Sequence, residues 1–169
     1  MAAAARPPLL LLAPLLAGLS APAAAVTQNA AVNANVVRPL TLVSLQDLDL
    51  GTIILTLGTW SGATVGISRT GVFTCNPNVV CSGAPQVARY KVTGSNKMVV
   101  KITAPNVTLT NQSDSTKTLV LTLDNPGTVT LTSSGEPGNN FNLGGSVTLN
   151  STTAPGTYSG TLAVTVDYQ

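Results

Sequence analysis

Two carboxylates one residue apart, Asp47 and Asp49 in the stretch LQDLDLG, are the side chains of this sequence best spaced for chemistry. On an extended strand such a spacing puts both on one face, where they could hold a calcium ion or share acid and base roles. The competing reading is a solvated strand face. The sequence has no His, so the commonest general base, and the usual partner of a Ser or Cys nucleophile, is missing. Asp124 stands before Asn-Pro-Gly, where a short carboxylate bonds a turn's own backbone. Arg89, Lys91, Lys97 and Lys101 could line one cationic face, although cations spread over strands ordinarily make plain surface. Trp60 could stack on a sugar ring, but no second aromatic or carboxylate lies close in sequence, and anchoring of a loop or core fits it better. Asn106, Asn111 and Asn150 each open a glycosylation sequon, and GGSV at residues 144–147 lacks the strand–helix setting of a phosphate loop. No catalytic constellation emerges, and the expectation is a protein that is not an enzyme and uses no cofactor and no metal.

The remaining reactive pair is Cys75 and Cys81, which flank the tip Asn76-Pro77-Asn78. A metal would need more ligands than two thiols in a chain without His. An intrachain disulfide is the better reading, provided the chain reaches an oxidising compartment. Its first residues suggest that it does. Arg6 is the sole charge of the opening stretch, residues 9–19 are a short apolar run broken by Pro, and Ala23, Ala24 and Ala25 offer a small-residue cleavage site. Residues 1–25 therefore read as a secretory signal peptide rather than a membrane span.

Composition agrees with an exported, assembling protein. Only 8% of residues are charged, against roughly 25% in ordinary soluble domains. Near-neutral balance leaves no basic footprint for nucleic acid, and weak charge repulsion favours association.

The elements that must carry these residues are strands. From Pro155-Gly156 onward the sequence GTYSGTLAVTVDYQ alternates, with Tyr158, Leu162, Val164, Val166 and Tyr168 on one parity and Thr or Ser on most of the other. Period-two alternation of this kind reads as a long half-buried strand, here expected over residues 156–169. Left bare, it would be a template for another chain. Residues 26–36 alternate too: Val26, Ala30, Val32, Ala34 and Val36 share a parity that Gln28 alone breaks. Further strands are expected at 40–43, 45–50, 52–57, 64–68, 71–74, 86–93, 98–104, 107–110, 119–124, 128–132 and 147–150. The segment 86–93 is expected to pair back across the disulfide tip with 71–74. No helical period appears after residue 25, so the fold class is all-β, an antiparallel immunoglobulin-like sandwich. Residues 26–37 form an N-terminal extension to a single domain, 38–169.

The two ends together resemble the ends of chaperone–usher pilin subunits, which carry a penultimate Tyr and a Gly at the fourteenth position from the C-terminus. Tyr168 and Gly156 occupy those places. Pro39-Leu40-Thr41-Leu42, DLDLGTI at 47–53 and APGTYSGTLAVTVDY at 154–168 are similar to a bacterial secreted domain family of unknown function, related to spore-coat-protein-U-type secreted pilins. The resemblance implies a sandwich short of its final strand. A periplasmic chaperone, working with an usher, would lend that strand until a like subunit's N-terminal extension replaces it. Val26, Ala30, Val32, Ala34 and Val36 would then face into the acceptor. Gly156, Tyr158, Leu162, Val164, Val166 and Tyr168 would form the strand that chaperone or subunit contacts. The expected function is a structural subunit of an exported surface filament or coat. The alternative is a self-complemented secreted domain that binds carbohydrate or a host surface.

Overall fold

Alternating apolar residues, punctuated by Gly, Pro and Asn turns, produce thirteen strands in the computed structural model, which describes residues 26–169. The expected signal peptide, residues 1–25, lies outside the described residues. One unit of the chain ends at Ala34 and the other is Asn35–Gln169, which contains every strand. No helix among the described residues is long and apolar enough to cross a membrane.

The strands are β1 (Thr41–Gln46), β2 (Thr52–Leu55), β3 (Ala63–Ile67), β4 (Phe73–Cys75), β5 (Val79–Ser82), β6 (Ala88–Thr93) and β7 (Val99–Thr103). They continue as β8 (Val107–Asn111), β9 (Thr118–Asp124), β10 (Thr128–Thr130), β11 (Asn139–Leu149), β12 (Tyr158–Ser159) and β13 (Thr165–Tyr168). Every ladder is antiparallel.

β11 is the axis of the larger sheet. Its first half pairs with β6 and its second half with β3, while β9 lies along the edge opposite β3. The sheet runs β1-β6-β11-β9-β8-β12, with β4 attached to β3. Two smaller sheets, β10-β7-β13 and β2-β5, supply the opposing layer. Between β1-β6-β11 and β10-β7-β13 lies a first core of Ala88, Tyr90, Val92, Val100, Ile102, Leu131, Phe141 and Leu143. Tyr90 and Phe141, partners across the β6–β11 ladder, stack with ring centroids 5.6 Å apart. A second core, built on Ala63, Val65, Val79, Val107, Leu121, Val147 and Leu149, joins β3, β11, β9 and β8 to β2 and β5. Leu48 and Leu162 pack against both. The architecture is an all-β sandwich of antiparallel sheets.

Several expected elements are redrawn. The long final strand is two short ones, β12 and β13, separated by residues 160–164, which join no ladder. The strand expected over 45–50 ends at Gln46; beyond it Asp49 makes only an isolated bridge to Gln86. β6 pairs with β1 and β11 rather than with the segment before the disulfide, because β4 is taken by β3. Residues 79–82, where no strand was expected, form β5 against β2. The strand expected over 147–150 begins eight residues earlier, at Asn139.

Candidate functional site

The last segment of the chain, residues 156–169, is held firmly at its two ends and bonded to nothing by its backbone in the middle. At the start, Gly156 adopts φ 143°, a conformation that a side chain resists. A Cβ placed there would come within 2.5 Å of the Asn111 Nδ2. Asn111 is only 2% exposed, and both polar atoms of its amide have partners. Its Nδ2 donates to the Pro155 carbonyl at 3.0 Å, and its Oδ1 accepts from the Ser113 amide at 2.9 Å. The Gln112 amide donates to the Thr157 carbonyl at 2.8 Å, and the Tyr158 hydroxyl donates to the Ala154 carbonyl at 2.8 Å. A buried amide and an aromatic hydroxyl thus fix where the strand enters.

The exit is fixed by Tyr168. Its hydroxyl accepts from the Ser95 amide at 2.8 Å and donates to the Arg38 carbonyl at 2.7 Å. The same hydroxyl lies against Gly94, where an added Cβ would also strike Leu131 and Leu40. The penultimate Tyr therefore ties the end of β13 to the β6–β7 turn and to the residues entering β1. Within the chain it is a latch.

Between these anchors the strand changes sheets, from β12 on β8 to β13 on β7. Gly160, Thr161, Leu162, Ala163 and Val164 form no backbone–backbone hydrogen bond among the described residues. β13 is bonded to β7 along one edge, and its other edge carries no ladder among the described residues. Five consecutive peptide units without partners are unusual in a strand lying on a core, since backbone donors and acceptors are nearly always paired away from water. The apolar side of this stretch is half-buried: Leu162, Val164, Val166 and Tyr168 pack on the first core beside Leu40, Leu42 and Leu48. Half-exposed apolar side chains next to an unpaired backbone make a surface matched to an extended apolar segment.

The other expected site residues do not converge. Val26, Val32 and Val36 are 81%, 92% and 91% exposed, and Ala30 and Ala34 are exposed as well. None of residues 26–37 lies in a strand. Cys75 and Cys81 form a disulfide with Cα atoms 6.2 Å apart, fastening β4 to β5. The Asp49 Oδ1 accepts the Gly51 amide at 2.8 Å in a turn. No cluster of three metal-ligating side chains occurs among the described residues.

Asp124 serves a different purpose from the turn bond expected of it. It accepts from the Arg69 guanidinium at 2.6 Å and from the Arg69 amide at 2.8 Å, and Asn125 closes the turn onto Gly127. Trp60 packs on the second core and donates its ring N–H to the Thr56 carbonyl at 3.1 Å, which makes it a loop anchor. Lys91 pairs with Glu136 at 2.9 Å, and Lys97 sits in a turn with φ 64°. The sequon at Asn111 is closed to modification by burial of its side chain. Residues 144–147 are the middle of β11, where Gly144 and Gly145 are pressed by the Ile67 carbonyl and by Leu121.

Sequence reasoning missed the buried Asn111 and the Arg69–Asp124 link. Asn111 was legible only as a sequon, and a pairing across 55 residues leaves no local signal.

No curated protein and no solved structure matches this chain. A family profile described as a domain of unknown function, DUF4402, matches residues 40–168. That is most of the sequence, and the chain belongs to the DUF4402 family.

Proposed function

We propose that this DUF4402 protein is a structural subunit of an exported surface filament or coat, assembled by strand addition. Residues 26–36 of one copy lie along the last strand of the next. The observation that carries this reading is the last strand itself, anchored at Gly156 and Tyr168 and without backbone partners over residues 160–164. The order β1-β6-β11-β9 facing β7-β13 fits the A-B-E-D and C-F strands of an immunoglobulin-type sandwich, whose G strand would run beside β13.

The occupant is chosen by length and by chemistry. Residues 26–36 and residues 158–168 are both eleven long, so the donor spans the acceptor without remainder. Its Val and Ala parity is apolar and small, suited to packing beside the partly buried Leu162, Val164 and Val166 and the neighbouring Leu40, Leu42 and Leu48. Burying one such Val contributes about 1.5–3 kcal/mol, and each backbone bond restored to residues 160–164 adds about 0.5–1.5 kcal/mol. Ordering the donor opposes this at about 1–2 kcal/mol per residue. By the resemblance to pilin subunits, an export chaperone and an usher would cover the same edge before assembly.

One observation favours a self-contained binding domain as the second reading. Val65, Val92, Val100, Leu131 and Leu143 are fully buried within single copies, so each core closes without a partner.

Sedimentation velocity on the mature chain separates the two readings. The assembling subunit gives oligomers that grow with concentration and collapse to single copies when a synthetic peptide of residues 26–36 is in excess. A chain that stays monomeric at every concentration and ignores the peptide refutes assembly.

A further inference from the structure

An open depression of about 700 Å³ lies where the β3–β4 loop and the β9–β10 turn meet β6 and β11. It is far from a random sample of this chain's chemistry. The described residues include three arginines, Arg38, Arg69 and Arg89, and two of them line this one depression, in a chain where only 8% of residues are charged. Arg69 is held by Asp124 and by the Asn125 carbonyl through a single terminal nitrogen, which leaves the rest of its fork unengaged by these partners. Arg89 is exposed on β6 and forms no side-chain hydrogen bond or ion pair among the described residues. Asn142 stands opposite it in the β6–β11 ladder. The Asn142 Nδ2 donates to the Arg69 carbonyl at 3.2 Å, so its Oδ1 is left to accept. Asn140 and Thr70 complete the polar lining.

The geometry points to a binding site for an acidic saccharide, with a uronate carboxylate on the Arg89 and Arg69 forks. Planar guanidinium groups match a planar carboxylate with two parallel bonds. The Asn142 and Asn140 amides and the Thr70 hydroxyl suit sugar hydroxyls, which both donate and accept. Phe141, the one aromatic of the lining, is buried in the first core, so no ring is offered for stacking and charge must supply the anchor. Two cations are too few to hold a nucleic-acid backbone at physiological salt. The site is independent of the strand-addition edge, since none of its lining residues belongs to residues 156–169.

Calorimetric titration of the mature chain with trigalacturonic acid, with maltotriose as the uncharged control, tests this. Trigalacturonic acid should bind saturably with a dissociation constant on the order of 0.1–1 mM, at least about tenfold tighter than maltotriose. Arg89→Ala should weaken it at least about tenfold, and Arg89→Lys should restore only part because the fork is lost. Melting temperatures of both variants should match the parent, since the side chain is exposed. No saturable binding, equal binding of maltotriose, or an unaffected Arg89→Ala variant overturns the proposal. Inorganic phosphate binding as tightly as the trisaccharide also overturns it, because the depression would then read a bare anion.

Discussion

Val32→Asp separates an intermolecular role of the extension from any role in folding. Val32 is 92% exposed, so its replacement should change unfolding of one copy by no more than about 0.5 kcal/mol. Seated in a neighbour's gap, the same side chain would lose about 1.5–3 kcal/mol of burial. The carboxylate would add at least about 1–3 kcal/mol for a polar group without a partner. The sum, about 4 kcal/mol, corresponds to roughly a thousandfold weaker association. The control is Asn33→Asp, which introduces the same charge on the opposite parity, where an inserted strand faces away from the core. Sedimentation velocity across a concentration series reads the association, and thermal melts of dilute protein read the fold. The expected pattern is assembly lost in Val32→Asp, kept within about threefold in Asn33→Asp, and equal melting of all three. Equal loss in both variants, or in neither, would show that parity is not being read and would refute the insertion of this segment.

Tyr168→Phe removes the hydroxyl that serves both the Ser95 amide and the Arg38 carbonyl; denaturant unfolding should show a loss of about 1–3 kcal/mol. Gly156→Ala places a Cβ against the buried Asn111 amide at φ 143°, whereas Gly127→Ala, at φ 74°, meets nothing within 4 Å. The first should therefore cost clearly more than the roughly 1–2 kcal/mol of backbone strain expected for the second, again by denaturant melts. Reduction of Cys75–Cys81 opens a ring with sequence separation 6, so the chain-entropy argument gives a loss of about 2 kcal/mol, measurable as a lower melting midpoint in reducing buffer. The Asp114 carboxyl is held below its ordinary value by the Thr116 hydroxyl and then by the Thr116 amide. A depressed folded value stabilises the 113–117 turn above the unfolded pKa of about 4, and that contribution fades as pH falls through the folded value. An NMR titration of the carboxyl carbon should give a midpoint below that of a model peptide.

Local pattern revealed much of the fold. The alternation of 86–93, 107–110 and 119–124 marked strands whose inner residues, Ala88, Tyr90, Val92, Val107 and Leu121, are core. The ring between Cys75 and Cys81 was legible from compartment and spacing. What stayed hidden has a common cause, which is that alternation reports which face is buried and says nothing of which edge is bonded. Residues 160–164 keep the same period as β13, yet they join no ladder. Gly144 and Gly145 fell outside the strand expected over 147–150, because the residues packed against them, Ile67 and Leu121, come from other strands. The apolar signal of Val79 and Val80 was present, but it sat inside the cysteine ring and was hidden by the Asn-Pro-Asn tip. Arg89 was visible as a cation, while its neighbour Arg69 gains meaning only through the fold.

The arrangement of the last strand also explains how an open edge is tolerated. An unpaired strand that was free to move would lose the entropy of ordering at the moment of binding, about 1–2 kcal/mol per residue. Here the ordering is done in advance by side chains: Asn111 and Tyr158 at one end, Tyr168 at the other. Leu162 contacts both cores midway, so residues 160–164 are held by packing on one face while their peptide groups join no ladder. A partner strand added as proposed would then meet a fixed row of donors and acceptors and have only its own order to lose. Loosening either anchor should therefore weaken capture of the peptide of residues 26–36 by more than it weakens any single contact. On this argument Tyr168→Phe, which removes only a hydroxyl bonded to Ser95 and Arg38 within the chain, should still bind the peptide less tightly than the parent chain does. If peptide affinity is unchanged in Tyr168→Phe while stability falls, preorganisation of the edge is not what the latch provides.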